Sequence, residues 1–538
     1  MEFLQEAPRL PHPYREDRVL QALLSRQVPA ARRRALEADL EALGDYAVMA
    51  YERRMGRPRR EPVLTQWDPW GKRVDSIELT SAWEEGPGMA TRHALLAAGH
   101  DAQAGAHGRL EQFLRVYVYH LASEFYTCPL AMTDGAASAI KAAGNRELAA
   151  RALPHFLSRD PGTFWLSGQW MTENSGGSDV AGTETEARRD AEGRWRLYGR
   201  KWFTSAVVGE TALALARPEG GDDLALFYVE TRDARGQWRE LRIDRLKDKL
   251  GTRELPTAEI HLEGLPATPV AGLDHGVRNI TPVLNITRTW NAVCAVASMA
   301  RCVALARDYA TRRRAFGKTL LEQPLHARTL AGMQAEFEAA FALAFHVVAL
   351  LGRVEHGQAS ADQAALLRLL TPLAKLWTGK LSVALASETL ECFGGAGYVE
   401  DTGLPQLLRD AQVYAIWEGT TNVLSLDTLR AQAESGLAPL RAWIENLLDA
   451  GGHARAGERV RSALQRAEAY LQGHAHDRES LQAGARQLAI TLARCAAAAL
   501  LAGQASGDAR ARAVLETFLA AGLDRFHGEA PDPRLLLD

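Results

Sequence analysis

The sequence predicts a mostly helical chain of four parts with one β domain set inside it. The parts are an N-terminal α-helical domain with an extension (1–165), a central β-barrel-like domain (166–275), a helical bundle (276–432) and an extra C-terminal helical domain (433–538). Three observations predict this. The 538 residues exceed what one hydrophobic core accommodates. Between about Thr163 and Leu273, short β-favouring runs alternate with turn clusters. On either side, apolar residues recur at helical spacing over long runs.

Taken in order, the N-terminal part carries helical patterns at Leu36–Gly44, with Gly44 as a stop, then at Met89–Ala98, Gly108–Tyr126 and Gly135–Ala143. Arg53 to Trp70 is basic, then Pro- and Trp-rich, and reads as a connector; its Arg57, Arg59 and Arg60 form a short basic cluster. The β domain draws strands from Arg196–Phe203, Thr211–Ala216, Leu224–Val229, Leu241–Ile243 and Ala258–Leu262. Helices return at Ile280–Ala315, Leu325–His356, Ser360–Cys392 and Leu404–Trp417, several of them long enough for a bundle. The last part is rich in Ala, Leu and Arg, with helices expected at Leu437–Ala450, Ala456–Gln472, Arg478–Ala502 and Ala509–Ala521.

Composition narrows the function classes. Net charge is −3, so no global field favours nucleic acid. Five scattered cysteines with no CxxC suggest neither a disulfide framework nor a zinc site, which fits a reducing cytoplasm. The N-terminal stretch MEFLQEAPRLPHPYRED has no apolar signal region, and no uncharged apolar run reaches spanning length, so no membrane partner is expected.

Four motifs could carry chemistry. In Trp417-Glu418-Gly419-Thr420-Thr421-Asn422, Glu418 follows Val413, Ala415, Ile416 and Trp417. Burial there would raise its pKa and suit it to general-base work, with Gly419 letting a ligand approach closely. Alternatively, Glu418 ends a surface helix and Gly419 is the C-cap. The run Met171-Thr172-Glu173-Asn174-Ser175-Gly176-Gly177-Ser178-Asp179 is a small, hydroxyl-bearing loop able to contact a ligand. In Lys201-Trp202-Phe203-Thr204, strand alternation puts Trp202 and Thr204 on one face, an indole beside a hydroxyl. Arg312-Arg313-Arg314-Ala315-Phe316-Gly317 offers an arginine to a phosphate, or is a solvated charge run.

These motifs, with Phe393-Gly394-Gly395-Ala396-Gly397-Tyr398-Val399-Glu400-Asp401 and the Trp417-Glu418-Gly419-Thr420 run, resemble the acyl-CoA dehydrogenase family in identity and order. The resemblance implies the acyl-CoA dehydrogenase-like fold, non-covalent FAD and α,β-desaturation of an acyl-CoA thioester. Glu418 would take the α-proton while the β-hydride goes to flavin N5, near Thr204. The thioester oxygen would be held by the Glu418 amide and a ribityl hydroxyl. It further implies that Thr172 bonds the flavin edge, that Ser178 contacts phosphate or nearby polar backbone, and that Trp202 stacks on the ring. Arg313, three before Phe316, would reach the pyrophosphate of a neighbouring subunit. Phe316, Gly394, Gly395, Thr420 and Asn422 would also line the cofactor site, and Arg288 and Gly419 the substrate site. The family's Phe-Gln pair after this arginine is replaced by Gln323-Pro324.

The N-terminal extension, Arg245–Gly251, Gln323-Pro324, Leu426–Arg430 and the extra C-terminal domain resemble the alkylation-response (AidB-type) branch. That branch implies a homotetramer and, as an alternative function, a DNA-associated adaptive-response flavoprotein with secondary dehydrogenase activity. From Arg430 onward, thirteen arginines balance thirteen acids with no lysine, so weak duplex DNA binding would rest on a local face such as Arg455, Arg459 and Arg466. The electron acceptor and the acyl chain have no signature in the sequence.

Overall fold

The structure is a computed structural model that describes residues 6–54, 60–526 and 537. Its architecture follows the four-part order. Helices α1 (Arg18–Gln27), α2 (Ala30–Arg54), α3 (His107–His120), α4 (Thr127–Ala143) and α5 (Arg146–Phe156) build the N-terminal part. Helices α6 (Thr281–Arg312), α7 (Pro324–Glu355), α8 (Ala361–Cys392) and α9 (Thr421–Ser435) form the bundle. The C-terminal helices α10 (Ala438–Gly451), α11 (Ala454–Gly473), α12 (Ala485–Gln504) and α13 (Ala509–Ala520) pack on it. One continuous apolar cluster runs from α1 through the bundle to α13, so the extra domain shares the main core.

The β domain holds β3 (Ser167–Trp170), β4 (Glu186–Arg189), β5 (Trp195–Ser205), β6 (Thr211–Pro218), β7 (Ala225–Glu230), β8 (Leu241–Leu246) and β9 (Thr257–Pro269). Strand β6 pairs with β4 and with β7, and the path β4–β5–β9–β7 returns to it, which closes a barrel-like circuit. Its interior is a separate apolar cluster including Trp170, Leu197, Phe227 and Ile260.

Several sequence expectations change. The stretch read as a connector contains β1 (Val63–Trp67), which pairs with β2 (Arg73–Glu78); the hairpin docks on β8, with Gln66 Nε2 donating to the carbonyls of Ile243 and Asp244. Arg57 and Arg59 lie outside the described residues, and Arg60 is exposed. Gly44 does not stop a helix; it lies inside α2, where a Cβ would stand 2.2 Å from His12 Cε1. The glycine serves close packing of the N-terminal segment. The expected helix 404–417 ends at Ala411, and Arg478–Ala502 is two helices. Among the described residues three helices are long and apolar enough to cross a membrane, 276–312, 324–355 and 485–504, and most of each apolar window is buried within the protein.

A buried polar network fixes the helix that carries much of the site. Asp134 on α4 accepts from Arg109, His100, Gln112 and, at 2.8 Å, from Trp290 Nε1 on α6. The Arg109 guanidinium holds the Asp134 carboxyl well below the usual carboxylate range against the penalty of burial. Removing one partner leaves the other charge buried and uncompensated. Arg109→Met is expected to cost about 3–5 kcal/mol, seen as a lowered thermal midpoint.

Candidate active site

Glu418 sits in a kink. After a short 3-10 turn at Gln412–Ala415, φ becomes positive at Glu418 (57°) and again at Gly419 (103°); Thr420 then caps α9 through its side chain to Val423 N. A left-handed non-glycine residue costs roughly 1–3 kcal/mol and persists only where its surroundings dictate it. The surroundings here are specific. At Gly379 on α8 a Cβ would lie 2.6 Å from the Tyr414 carbonyl, so only glycine lets this segment press against the helix. The Tyr414 hydroxyl pairs with His120 Nε2 (2.6 Å) and Ser298 Oγ (2.8 Å), and burial keeps that histidine neutral. Trp417 packs on Phe125 and Tyr414. The helix-end alternative is therefore wrong: Gly419 precedes a helix instead of capping one.

Side chains from three elements converge on Glu418. Thr287 Oγ1, on α6, donates to Glu418 Oε2 at 2.6 Å. Arg288 Nε reaches the Glu418 carbonyl at 3.4 Å while its NH1 pairs with Asp427 Oδ2 at 2.7 Å. Lys375 Nζ, on α8, donates to the Gly419 carbonyl at 2.5 Å. Gln169, on β3, also lies near the carboxyl and lowers its pKa. Glu418 keeps some surface as a residue, yet burial of its carboxyl outweighs these partners and raises its pKa. Burial pushes Lys375 down to about 7. Gln169 Oε1 is buried with no hydrogen-bond partner among the described residues.

The second and third motifs meet. Trp202 N–H donates to the Thr172 carbonyl at 2.9 Å. Beneath them, wholly buried Lys201 donates to Glu173 Oε1 at 2.6 Å, and Glu173 also accepts from Thr185 and the Glu184 N–H. This ion pair holds the Thr172–Ser178 loop to β5. Thr172 is half-buried and Ser178 exposed. Strand alternation fails locally: a register shift between Lys201 and Thr204 leaves both of them buried and Trp202 40% exposed. Trp202 and Thr204 therefore do not share a face; Thr204 Oγ1 instead donates to the Ala258 carbonyl.

The remaining site candidates lie at the surface. Arg313 caps α6, and a tight hairpin, β10 (Arg314–Ala315) and β11 (Lys318–Thr319), lifts Phe316 into solvent at 98% exposure. Gln323 Nε2 donates to the Ala315 carbonyl and so braces this hairpin. Gly394, Gly395 and Asn422 are exposed, and Thr420 is half-buried. Arg288, expected at the substrate, is engaged by Asp427 and the Glu418 carbonyl, which gives it a share in orienting the acid.

Comparison with known proteins then decides the family. Residues 168–265 match the acyl-CoA dehydrogenase middle domain and residues 274–433 its C-terminal domain. Residues 9–160 match the N-terminal domain of the adaptive response protein AidB, and residues 443–518 the acyl-CoA dehydrogenase 11 C-terminal domain-like family. Acyl-CoA dehydrogenase family member 11 of Caenorhabditis elegans is 39% identical over 534 residues, covering 94% of this chain and 86% of that protein. The chain belongs to the acyl-CoA dehydrogenase family. AidB of Escherichia coli K12 is 33% identical over 379 residues, 69% of each protein. The crystal structure of C. elegans ACDH-11 in complex with C11-CoA superposes with a TM-score of 0.93 at 37% identity, covering 98% of this chain and 94% of that one. The fold and the oxidoreductase class follow from this membership, and the chain combines an AidB-type front with an ACDH-11-type tail.

Sequence reasoning missed Thr287, Gln169, Lys375 and the Glu173–Lys201 pair. A signal existed for Lys375, a single cation inside the apolar run Leu373-Ala374-Lys375-Leu376-Trp377. Thr287 offered none, since a helical threonine usually bonds its own backbone, and the Val283 carbonyl stands 3.0 Å from this hydroxyl as the competing acceptor. Because the Thr287 bond lowers the pKa of Glu418, Thr287→Val is expected to move Glu418 protonation to higher pH, as followed by carboxyl infrared difference spectra.

Proposed function

We propose that the protein is an FAD-dependent acyl-CoA dehydrogenase in which Glu418 is the base for α,β-desaturation of a thioester. The observation that carries this reading is the Glu418 carboxyl, desolvated yet held by Thr287 in a kink where Gly419 supplies no side chain to block approach. A carboxylate with a raised pKa at the meeting of the β domain and the bundle is a stronger base than an exposed one and suits proton abstraction.

The residues present fit FAD, on which the family depends. Trp202 offers a partly open indole beside Thr172, the buried Gln169 Oε1 has no hydrogen-bond partner among the described residues, and Phe316 stands exposed on a braced hairpin. Thr172, Ser178 and Trp202 would hold the cofactor from one subunit, while Thr204, buried with its hydroxyl on the Ala258 carbonyl, supports the strand behind Trp202. Arg313, Phe316, Gly394 and Gly395 would reach it from another, and Thr420 and Asn422 would sit at its edge. The assembly proposed is a homotetramer. When bound, FAD supplies the acceptor for the β-hydride. Glu418 accepts the α-proton, its backbone N–H would donate to the thioester oxygen as charge develops there, and Thr287 keeps the carboxylate aimed. The substrate is an acyl-CoA; the C11-CoA complex of the C. elegans relative supports this class.

The duplex-DNA alternative keeps less support. Arg466 is paired with Asp524, Arg441 with Glu468, Arg494 with Glu336 and Arg510 with Glu338. Arg455 and Arg459 alone remain of the expected face without an ion pair among the described residues.

Anaerobic titration of the FAD-loaded protein with acyl-CoAs of graded chain length is expected to bleach the flavin. Glu418→Gln is expected to retain FAD and lose reduction by about 100-fold or more. Bleaching of that variant at the parental rate would remove Glu418 as the base. Arg313→Met is expected to weaken FAD retention on gel filtration; parental retention would count against a role across subunits.

A further inference from the structure

The kink at Glu418 is held from below by two cations. Glu418 and Gly419 are consecutive residues of positive φ, and each carbonyl that results points at a different helix. Arg288 of α6 takes the first carbonyl and Lys375 of α8 takes the second. Arg288 is neutralised by Asp427, which Arg368 shares at 3.0 Å. Lys375 is different. It is 1% exposed, its bond is to a neutral carbonyl, and among the described residues no carboxylate lies within ion-pair distance of it. An ammonium buried with a single neutral acceptor is unfavourable against an apolar residue of the same length. Packing alone does not explain a lysine there.

We propose that Lys375 is a positioning residue for the reaction: its ammonium fixes the Gly419 carbonyl, and with it the Glu418–Gly419 kink, and its charge favours the carboxylate form of Glu418. This rests on the reading of Glu418 as the base. The two side chains sense each other: the Lys375 charge pulls the Glu418 pKa down, and the Glu418 charge pulls the Lys375 pKa up. The other groups facing the pair are Thr287 and Arg288 from α6, with Asp427 of α9 and Arg368 of α8 behind Arg288. Gln169 of β3 and buried Cys128 of α4 face it too, with Lys249 close to that cysteine. Of these, Arg288 lowers the Glu418 pKa more than Lys375 does, but it already carries a counter-ion in Asp427, whereas Lys375 has none within ion-pair distance among the described residues.

The test is the pH dependence of the flavin-reduction rate constant at saturating acyl-CoA, with substrate Kd measured alongside, for the FAD-loaded parent, Lys375→Met, Lys375→Gln and Glu418→Gln. Methionine removes both the charge and the donor; glutamine removes the charge and keeps an amide donor for Gly419. Losing the cation raises the Glu418 pKa, so the acid limb should move up by about one pH unit in both variants. That shift is about a tenfold loss of rate below the midpoint. At high pH the glutamine variant should recover the parental rate and the methionine variant should not. Substrate Kd should stay within about twofold, because the side chain acts through Glu418 and not on the ligand. An unshifted acid limb in either folded variant, or a loss confined to Kd, overturns the proposal. If the methionine variant does not fold, the glutamine variant decides alone, because it keeps a polar donor at this position. If Glu418→Gln is reduced like the parent, it is the base assignment that fails; a dead Glu418→Gln with unshifted lysine variants fails only the role of Lys375.

Discussion

The site depends on keeping one carboxylate where water cannot solvate it. The Glu418 carboxyl is desolvated, and its backbone adopts a conformation that isolated chains avoid. Each feature is unfavourable alone. Both are tolerated because the bundle supplies compensation from several directions: a hydroxyl from α6 to the carboxyl, cations from α6 and α8 to the two carbonyls, and a glycine on α8 that gives the segment room. Pulling any of these helices away would release the kink. The Asp134 network, which ties α6 to the N-terminal helices through Trp290, therefore contributes to the site from a distance.

The β domain has a matching device. Lys201 and Glu173 are both buried, and they join the loop bearing Thr172 to the strand bearing Trp202. A buried ion pair is weak support for stability but a strict specification of geometry. Here the geometry specified is that of two motifs the sequence separates by some thirty residues. The bulge next to this pair turns Trp202 outward while Thr204 stays inside. The strand thus presents a flat aromatic surface at its edge without exposing its core.

Much of this was legible in the sequence. The four-part layout could be read because a change from helical to strand-like texture is a periodic signal carried by many residues. Glu418 and its Gly-Thr neighbours stood out as an acid in an apolar setting beside a glycine. What could not be read was long-range. Thr287, Gln169 and Lys375 come to Glu418 from three elements distant in the chain, and none carries a local pattern that announces its partner. The register shift in β5 departs from the strict alternation that strand periodicity predicts, and bulges leave no reliable trace in a single sequence. A glycine ending an apolar pattern usually stops a helix, which is what the sequence predicts for Gly44; its role in the structure, room for the His12 ring, depends on a contact thirty-two residues away.

The central claim is that Glu418 removes the α-proton of an acyl-CoA. It is tested most directly with a ligand that cannot complete the reaction, an acyl-CoA whose β-carbon is replaced by sulfur, so that a proton can leave but no hydride can. Incubated with the FAD-loaded protein in D2O, this ligand should exchange its α-hydrogen for deuterium with the parent and not with Glu418→Gln. Equal exchange with both proteins would contradict the account.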